Sequence, residues 1–235
     1  MIIKSVCEIN RDLFYALWDV ANNSKPTSAQ DCKLIFPTRR NKDTRISEQE
    51  SRVLFCNLLN NTEYFYSVET PTEEMYKQKG KKHRSANSDL SLYTQTNDDF
   101  KPVLNVELKA HTAKKEDIRK DIEKLMRENV PGNWFHTLKN IRRDTLPAIF
   151  KRIVYSIKDT KEGFSCEKQS IIFSFCVLER QWGCLKLFEC DPSTKEFDKY
   201  VDDFFTLEYS INKGIHVHNK AGWEIISRSG NNKID

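Results

Sequence analysis

The sequence predicts an α/β fold, a mixed β-sheet flanked by helices, with its core in the order helix, three strands, helix, strand. Three observations carry this. Residues 114–128 (KKEDIRKDIEKLMRE) put Ile118, Ile122 and Leu125 on one helical face and charge elsewhere. Ahead of that helix stand three strand-like runs, Tyr64–Val68, Ser88–Tyr93 and Val103–Leu108. Behind it, Ile171–Leu178 (IIFSFCVL) is too short and too β-branched for most helices and reads as a buried strand. Three successive strands form an antiparallel meander, and a strand reached through a helix joins the same sheet in parallel.

Taken in order, residues 8–21 carry Leu13, Phe14, Leu17, Trp18 and Ala21 at helical spacing, so an amphipathic helix opens the chain. Ser47 reads as the N-cap of a second helix through Leu59, with Glu50 three residues on as its capping-box partner. Tyr64–Val68 is aromatic and β-branched, and Pro71 closes it. A basic loop follows, and the turn-rich QTNDDFKP joins the next two strands. Pro131-Gly132 breaks the helix over 114–128, and residues 134–156 read as helical again around Pro147. Trp182–Cys190 is the hairpin partner of the buried strand, and one more strand-like piece lies around Ile215–Val217. The whole is a single domain over 1–235, with an N-terminal helical element (1–42), a core at about 44–190 and a C-terminal extension (191–235).

Composition narrows the class. Length (235 residues) and 38% hydrophobic content suffice for a proper core, and seven glycines with seven prolines exclude a linker-dominated chain. No apolar run approaches the roughly 20 residues that span a bilayer. The opening MIIKSVCEINRDLF is charged too early for a secretory signal, so the expectation is a cytoplasmic protein without a membrane partner. Seven dispersed cysteines without a CxxC pair give neither a disulfide framework nor a zinc cluster. The net charge of +4 is a small excess, but it is unevenly spread: Lys77–Arg84 is almost free of acidic residues, and Lys139–Arg143 forms a second cluster. Both are candidates for neutralising phosphates.

The chemistry sits on the strands. In SDLSLY, Leu90 and Leu92 face the core, leaving Asp89 and Ser91 on the other side. In VLNVELKA, Asn105, Glu107 and Lys109 share one face, a carboxylate and an ammonium about 6–7 Å apart at their backbones. Antiparallel neighbours bring Asp89 and Glu107 together, and two carboxylates suit Mg²⁺, which keeps several of its waters. Phosphodiester hydrolysis needs an activated water and a counter-charge for the oxygens that gain negative charge. A bound cation supplies both, and Lys109 can orient or deprotonate the water. Glu-x-Lys occurs once in the chain.

SANSDLSLY followed by VLNVELKA resembles the signature of the PD-(D/E)XK superfamily, the restriction-endonuclease-like nucleases. Ser88 stands where the proline would be. The resemblance implies metal ligation by Asp89, Glu107 and the Leu108 carbonyl, and a catalytic Lys109. It also implies a glutamate from the helix before the first strand. Glu50, one turn after Ile46 and one turn before Leu54, shares the inward face and is the choice over Glu48. The implied protein is a Mg²⁺-dependent DNA endonuclease with a restriction or defence role. Mn²⁺ can substitute, and a homodimer is the assembly expected for cutting both strands.

Arg84, Lys81, Lys82, His111 and Lys124 are the candidate nucleic-acid contacts, Arg84 foremost because it leads into the Asp89 strand. Trp134-Phe135, at an expected helix start, could stack on a base, although core packing is the default for such a pair. His216 and His218 form an HxH without a third ligand at convincing spacing. The alternative to a nuclease is a nuclease-like module that binds nucleic acid or a protein partner without cutting.

Overall fold

The computed structural model describes residues 1–24, 26, 28–29, 32–40, 43–77, 83–111, 113–163, 168–210, 216–218 and 221–228. A seven-stranded mixed sheet organises the chain. Helices α1 (Ile2–Ala21) and α2 (Glu48–Leu59) precede the meander β1 (Phe65–Lys77), β2 (His83–Thr96) and β3 (Asp99–Ala110). Helix α3 (Lys115–Arg127) leads to β4 (Gly132–Leu138), and α4 (Thr145–Gly163) leads to β5 (Gln169–Val177) and β6 (Trp182–Cys190). Helix α5 (Phe197–Phe204), a two-stranded ribbon of β7 (Glu208–Ser210) and β8 (His216–His218), and β9 (Glu224–Ser227) complete it.

The sheet order is β1-β2-β3-β4-β5-β6-β9. Pairs β1–β2, β2–β3, β5–β6 and β6–β9 are antiparallel, and β3–β4 and β4–β5 are parallel. A meander followed by a parallel crossover through α3 is the arrangement expected. The strand that receives the crossover is β4, however, not the run at 171–178, which is the next one over. Residues 132–138 are therefore a strand where a helix was expected. Every one of them is buried. A parallel strand covered on both faces shows no alternation, so GNWFHTL carries no period-two signal. Pro147 sits in the first turn of α4, where its missing N–H costs nothing.

Two further expectations shift at their ends. Strand β1 does not stop at Pro71 but runs to Lys77, with a register shift between Pro71 and Met75. Proline is tolerated there because β1 lies at the sheet's edge. The segment expected as an extension supplies β9, which pairs with β6 in the main sheet.

Each face of the sheet has its own core. On one, Phe14, Leu17 and Trp18 of α1 with Leu54 and Phe55 of α2 cover Leu90, Leu92, Leu104, Val106 and Leu108. On the other, Ile118, Ile122 and Leu125 of α3 and Ile149 and Ile153 of α4 cover Trp134, Phe173 and Phe175. Here Phe204, Phe205 and Trp223 add an aromatic cluster, with Phe150 and Trp223 stacked at 5.3 Å. A buried polar clamp, Asn10 Nδ2 donating to Asn133 Oδ1 (2.8 Å) and Ser174 Oγ (2.9 Å), fixes α1 over β4 and β5. Among the described residues no helix is long and apolar enough to cross a membrane.

Candidate active site

Alternation along β3 decides what faces what. Leu104, Val106 and Leu108 enter the core beneath α1 and α2, so Asn105, Glu107 and Lys109 turn to the opposite face, beneath α3. Asp89 follows the same logic on β2, where Leu90 pairs with Val106. Its carboxylate closes the gap between the strands: Oδ2 accepts a hydrogen bond from the Leu108 N–H at 2.7 Å. The Leu108 carbonyl in turn accepts from Lys109 Nζ at 2.9 Å. Asp89 and Lys109 are thus joined through the backbone of Leu108.

Helix α3 supplies the rest. Asp121 bridges two ammonium groups, Lys109 Nζ at 2.8 Å and Lys124 Nζ at 2.9 Å. Lys124 also lies 2.6 Å from Glu107 Oε1 and donates to the Asn87 carbonyl at 2.9 Å. From α2, Arg52 meets Asp89 Oδ1 at 2.7 Å and Glu69 Oε1 at 2.7 Å. Glu48 Oε1 stands 3.5 Å from Lys109 Nζ. Five carboxylates, Glu48, Glu69, Asp89, Glu107 and Asp121, therefore face three cations, Arg52, Lys109 and Lys124.

Burial makes that imbalance consequential. Glu107 is 1% exposed, and burial, reinforced by Asp121, raises its proton affinity well above the usual carboxylate range against the pull of Lys124. Burial acts the same way on Asp121, but Lys124 and Lys109 outweigh it and hold its carboxyl below the usual range. For Lys109 burial works against the charge, and Asp121 and Glu48 more than restore it, so the ammonium is held. Glu48 is raised, chiefly by burial. Glu107 is the carboxylate whose negative charge is least compensated.

Glu50 is not in this group, which corrects the choice made from helical phase. Its Oε2 accepts from the Ser47 N–H and the Ser47 hydroxyl, each at 2.7 Å, completing the capping box at the start of α2. The carboxylate is turned back onto its own helix end, and Glu48, one residue into the helix, faces Lys109 instead. The Ser47-x-x-Glu50 signature had already assigned that side chain, and one carboxylate cannot serve both ends.

The remaining candidates separate. Lys124 belongs to the cluster. His111, at φ +57°, has its Nε2 2.8 Å from the Ile46 carbonyl, and its own carbonyl meets His136 Nε2 at 2.5 Å. It ties β3 to the approach of α2. Arg84 stands in β2 opposite Tyr76, while Lys81 and Lys82 lie outside the described residues. Trp134 and Phe135 are fully buried in β4, one toward each core, and offer no stacking surface. His216 and His218 lie in β8. Sequence reasoning missed Arg52, and for Asp121, on the helix after Glu-x-Lys, it weighed a polar contribution to the site about equally with ordinary helix-surface pairing. The available signals were spacings: Arg52 follows Glu48 by one turn, and Lys124 follows Asp121 by three.

Among the described residues no group of three or more His, Cys, Asp or Glu side chains stands close enough to hold a metal ion. A hard divalent cation takes oxygen donors and needs only one or two protein carboxylates. Asp89, Glu107 and the Leu108 carbonyl are all oxygen donors, and the under-compensated charge of Glu107 calls for positive charge. Comparison of the chain with protein-family models, with curated proteins and with solved structures found no match.

Proposed function

We propose that this chain is a metal-dependent nuclease of the restriction-endonuclease-like kind, hydrolysing phosphodiester bonds in nucleic acid, with DNA as the substrate the family resemblance implies. One observation carries the reading: Asp89 Oδ2 accepts from the Leu108 N–H and Lys109 Nζ donates to the Leu108 carbonyl, immediately beside Glu107. The order α2, β1, β2, β3, α3, β4, with β4 parallel to β3, agrees with the core that such nucleases share.

Asp89, Glu107 and the Leu108 carbonyl would hold Mg²⁺ or Mn²⁺, with Glu48 in the place expected for Glu50. When bound, such an ion polarises the phosphoryl oxygens and lowers the pKa of a coordinated water. Lys109 keeps its proton next to Asp121 and presents positive charge where the phosphate gains negative charge. Asp121 orients Lys109 and Lys124 together. Lys124 neutralises Glu107, so a metal ion and Lys124 compete for the same carboxylate.

That last contact also favours a second reading, a nucleic-acid-binding module that does not cut. A carboxylate cluster without a metal is costly only when nothing else neutralises it. Here Arg52 and Lys124 supply part of that neutralisation. One experiment separates the two: plasmid and short-duplex cleavage in Mg²⁺ and Mn²⁺, paired with metal titration, on wild type, Lys109→Ala and Asp89→Asn. The nuclease reading expects Lys109→Ala to keep metal binding and lose about 10³-fold in cleavage rate. It expects Asp89→Asn to lose both. Wild-type protein that binds nucleic acid and cuts none of these substrates establishes the binding module instead.

A further inference from the structure

A cavity of about 350 Å³ opens on the sheet beside the charged cluster, between the β1–β2 bulge and the start of the α3–β4 connection. Asn105 lines it, two residues before Glu107 on the same face of β3, so the two lie about 6–7 Å apart along the strand. Thr70, Ser88, Ser91 and Tyr93 line it as well.

Two of these groups are out of order for a folded protein. Thr70 and Ser88 are cross-strand partners, and among the described residues each hydroxyl is buried without a hydrogen-bond partner. Ser88 is 1% exposed. A buried hydroxyl left unpaired costs roughly 1–3 kcal/mol, so two in one cavity point to a ligand that supplies the missing bonds. Ser91 donates to Asn105 Oδ1 at 2.6 Å, which turns the Asn105 amide so that its nitrogen remains as a donor. Glu128 also lines the cavity, with its oxygens taken by the N–H groups of Glu73 and Glu74 and by the Tyr76 hydroxyl. Glu73 and Lys101 line it too, so the lining carries two carboxylates and one ammonium, a net negative charge that disfavours an anion. The lining is thus matched to a neutral, flat group with donors and acceptors on its edge, beside one aromatic ring.

Resting on the nuclease reading, we propose that this cavity receives a nucleobase from the nucleotide next to the phosphate held at Lys109. A base can enter only when unpaired and unstacked from its neighbours. The substrate class this selects is a single strand, or a duplex with an unpaired nucleotide at the cut, over an intact duplex.

The test is fluorescence anisotropy in Ca²⁺ and in EDTA, using a short single-stranded oligonucleotide, its blunt duplex and an all-abasic strand of equal length. The proteins are wild type and the double variant Thr70→Val/Ser88→Ala. Among the described residues those hydroxyls have no partner, so the variant should melt no lower than wild type. Wild type should bind the single strand about tenfold tighter than the duplex and about tenfold tighter than the abasic strand. The variant should lose about fivefold on the intact strand and nothing on the abasic one. Equal losses on both strands, or an abasic strand bound as tightly as the intact one, would overturn the cavity's role while leaving the nuclease reading in place. Wild type that binds no strand in either condition overturns both.

Discussion

Along β3 alternate residues enter two different media. Leu104, Val106 and Leu108 pass into a dry apolar core under α1 and α2. Asn105, Glu107 and Lys109, also buried, pass into a layer where every side chain needs a specific partner. Burial therefore means opposite things one residue apart. On the apolar face it stabilises in proportion to the area removed from water. On the charged face it has a desolvation cost that Asp121 and Lys124 roughly offset, so that layer contributes little net stability. The first face holds the fold, and the second is held by it.

The largest effect that would sharpen this contrast is a truncation on the apolar side. Leu104→Ala should cost about 2–5 kcal/mol in urea unfolding while leaving activity per folded molecule unchanged. A cost near zero would mean that this face is not the one holding the sheet.

The next effect is a dependence on pH. Because Glu107 binds its proton more tightly folded than unfolded, its favourable contribution is whole below the unfolded pKa of about 4.3. That contribution is lost as pH rises toward the raised folded value. Asp121, held low, behaves the other way and loses its contribution only as pH falls below about 3.9. Glu107→Gln removes the first dependence, so its Tm should gain on wild type as pH is raised from about 4 to about 8. Parallel Tm curves across that range would show that Glu107 is neutralised by Lys124 at every pH.

The smallest effect separates two carboxylates on α2. Glu50→Ala should cost about 1 kcal/mol through the lost cap and leave cleavage intact. Glu48→Ala should do the reverse, sparing stability and slowing cleavage. If Glu50→Ala alone slows cleavage, the cap and the site are coupled and the division between them fails.

What was legible in the sequence follows the same division. Period-two alternation over 88–93 and 103–109 and the single Glu-x-Lys were enough to single out Asp89, Glu107 and Lys109, because one side of each strand is apolar and the other is not. Residues 132–138 gave no such signal, since both sides of β4 are buried. Helical phase alone misjudged α2, where backbone N–H groups at the helix end claimed Glu50 and left Glu48 to the site. Arg52 and Asp121 were hard to read for a further reason. Their partners come from other elements far along the chain, and only the assembled sheet shows which charges meet.

Gly132 ties these two worlds together. A Cβ there would come within 3.0 Å of Leu125 Cδ2 and 3.2 Å of Leu125 Cβ, so α3 lies on β4 as closely as the backbone allows. The absent side chain acts as a fulcrum for the helix. Any larger residue at 132 presses on Leu125 and on Ile171 Cγ1 (3.3 Å), and Lys124 is the neighbour of Leu125 in α3. A methyl group added in the apolar layer would be felt as a change of voltage at Glu107.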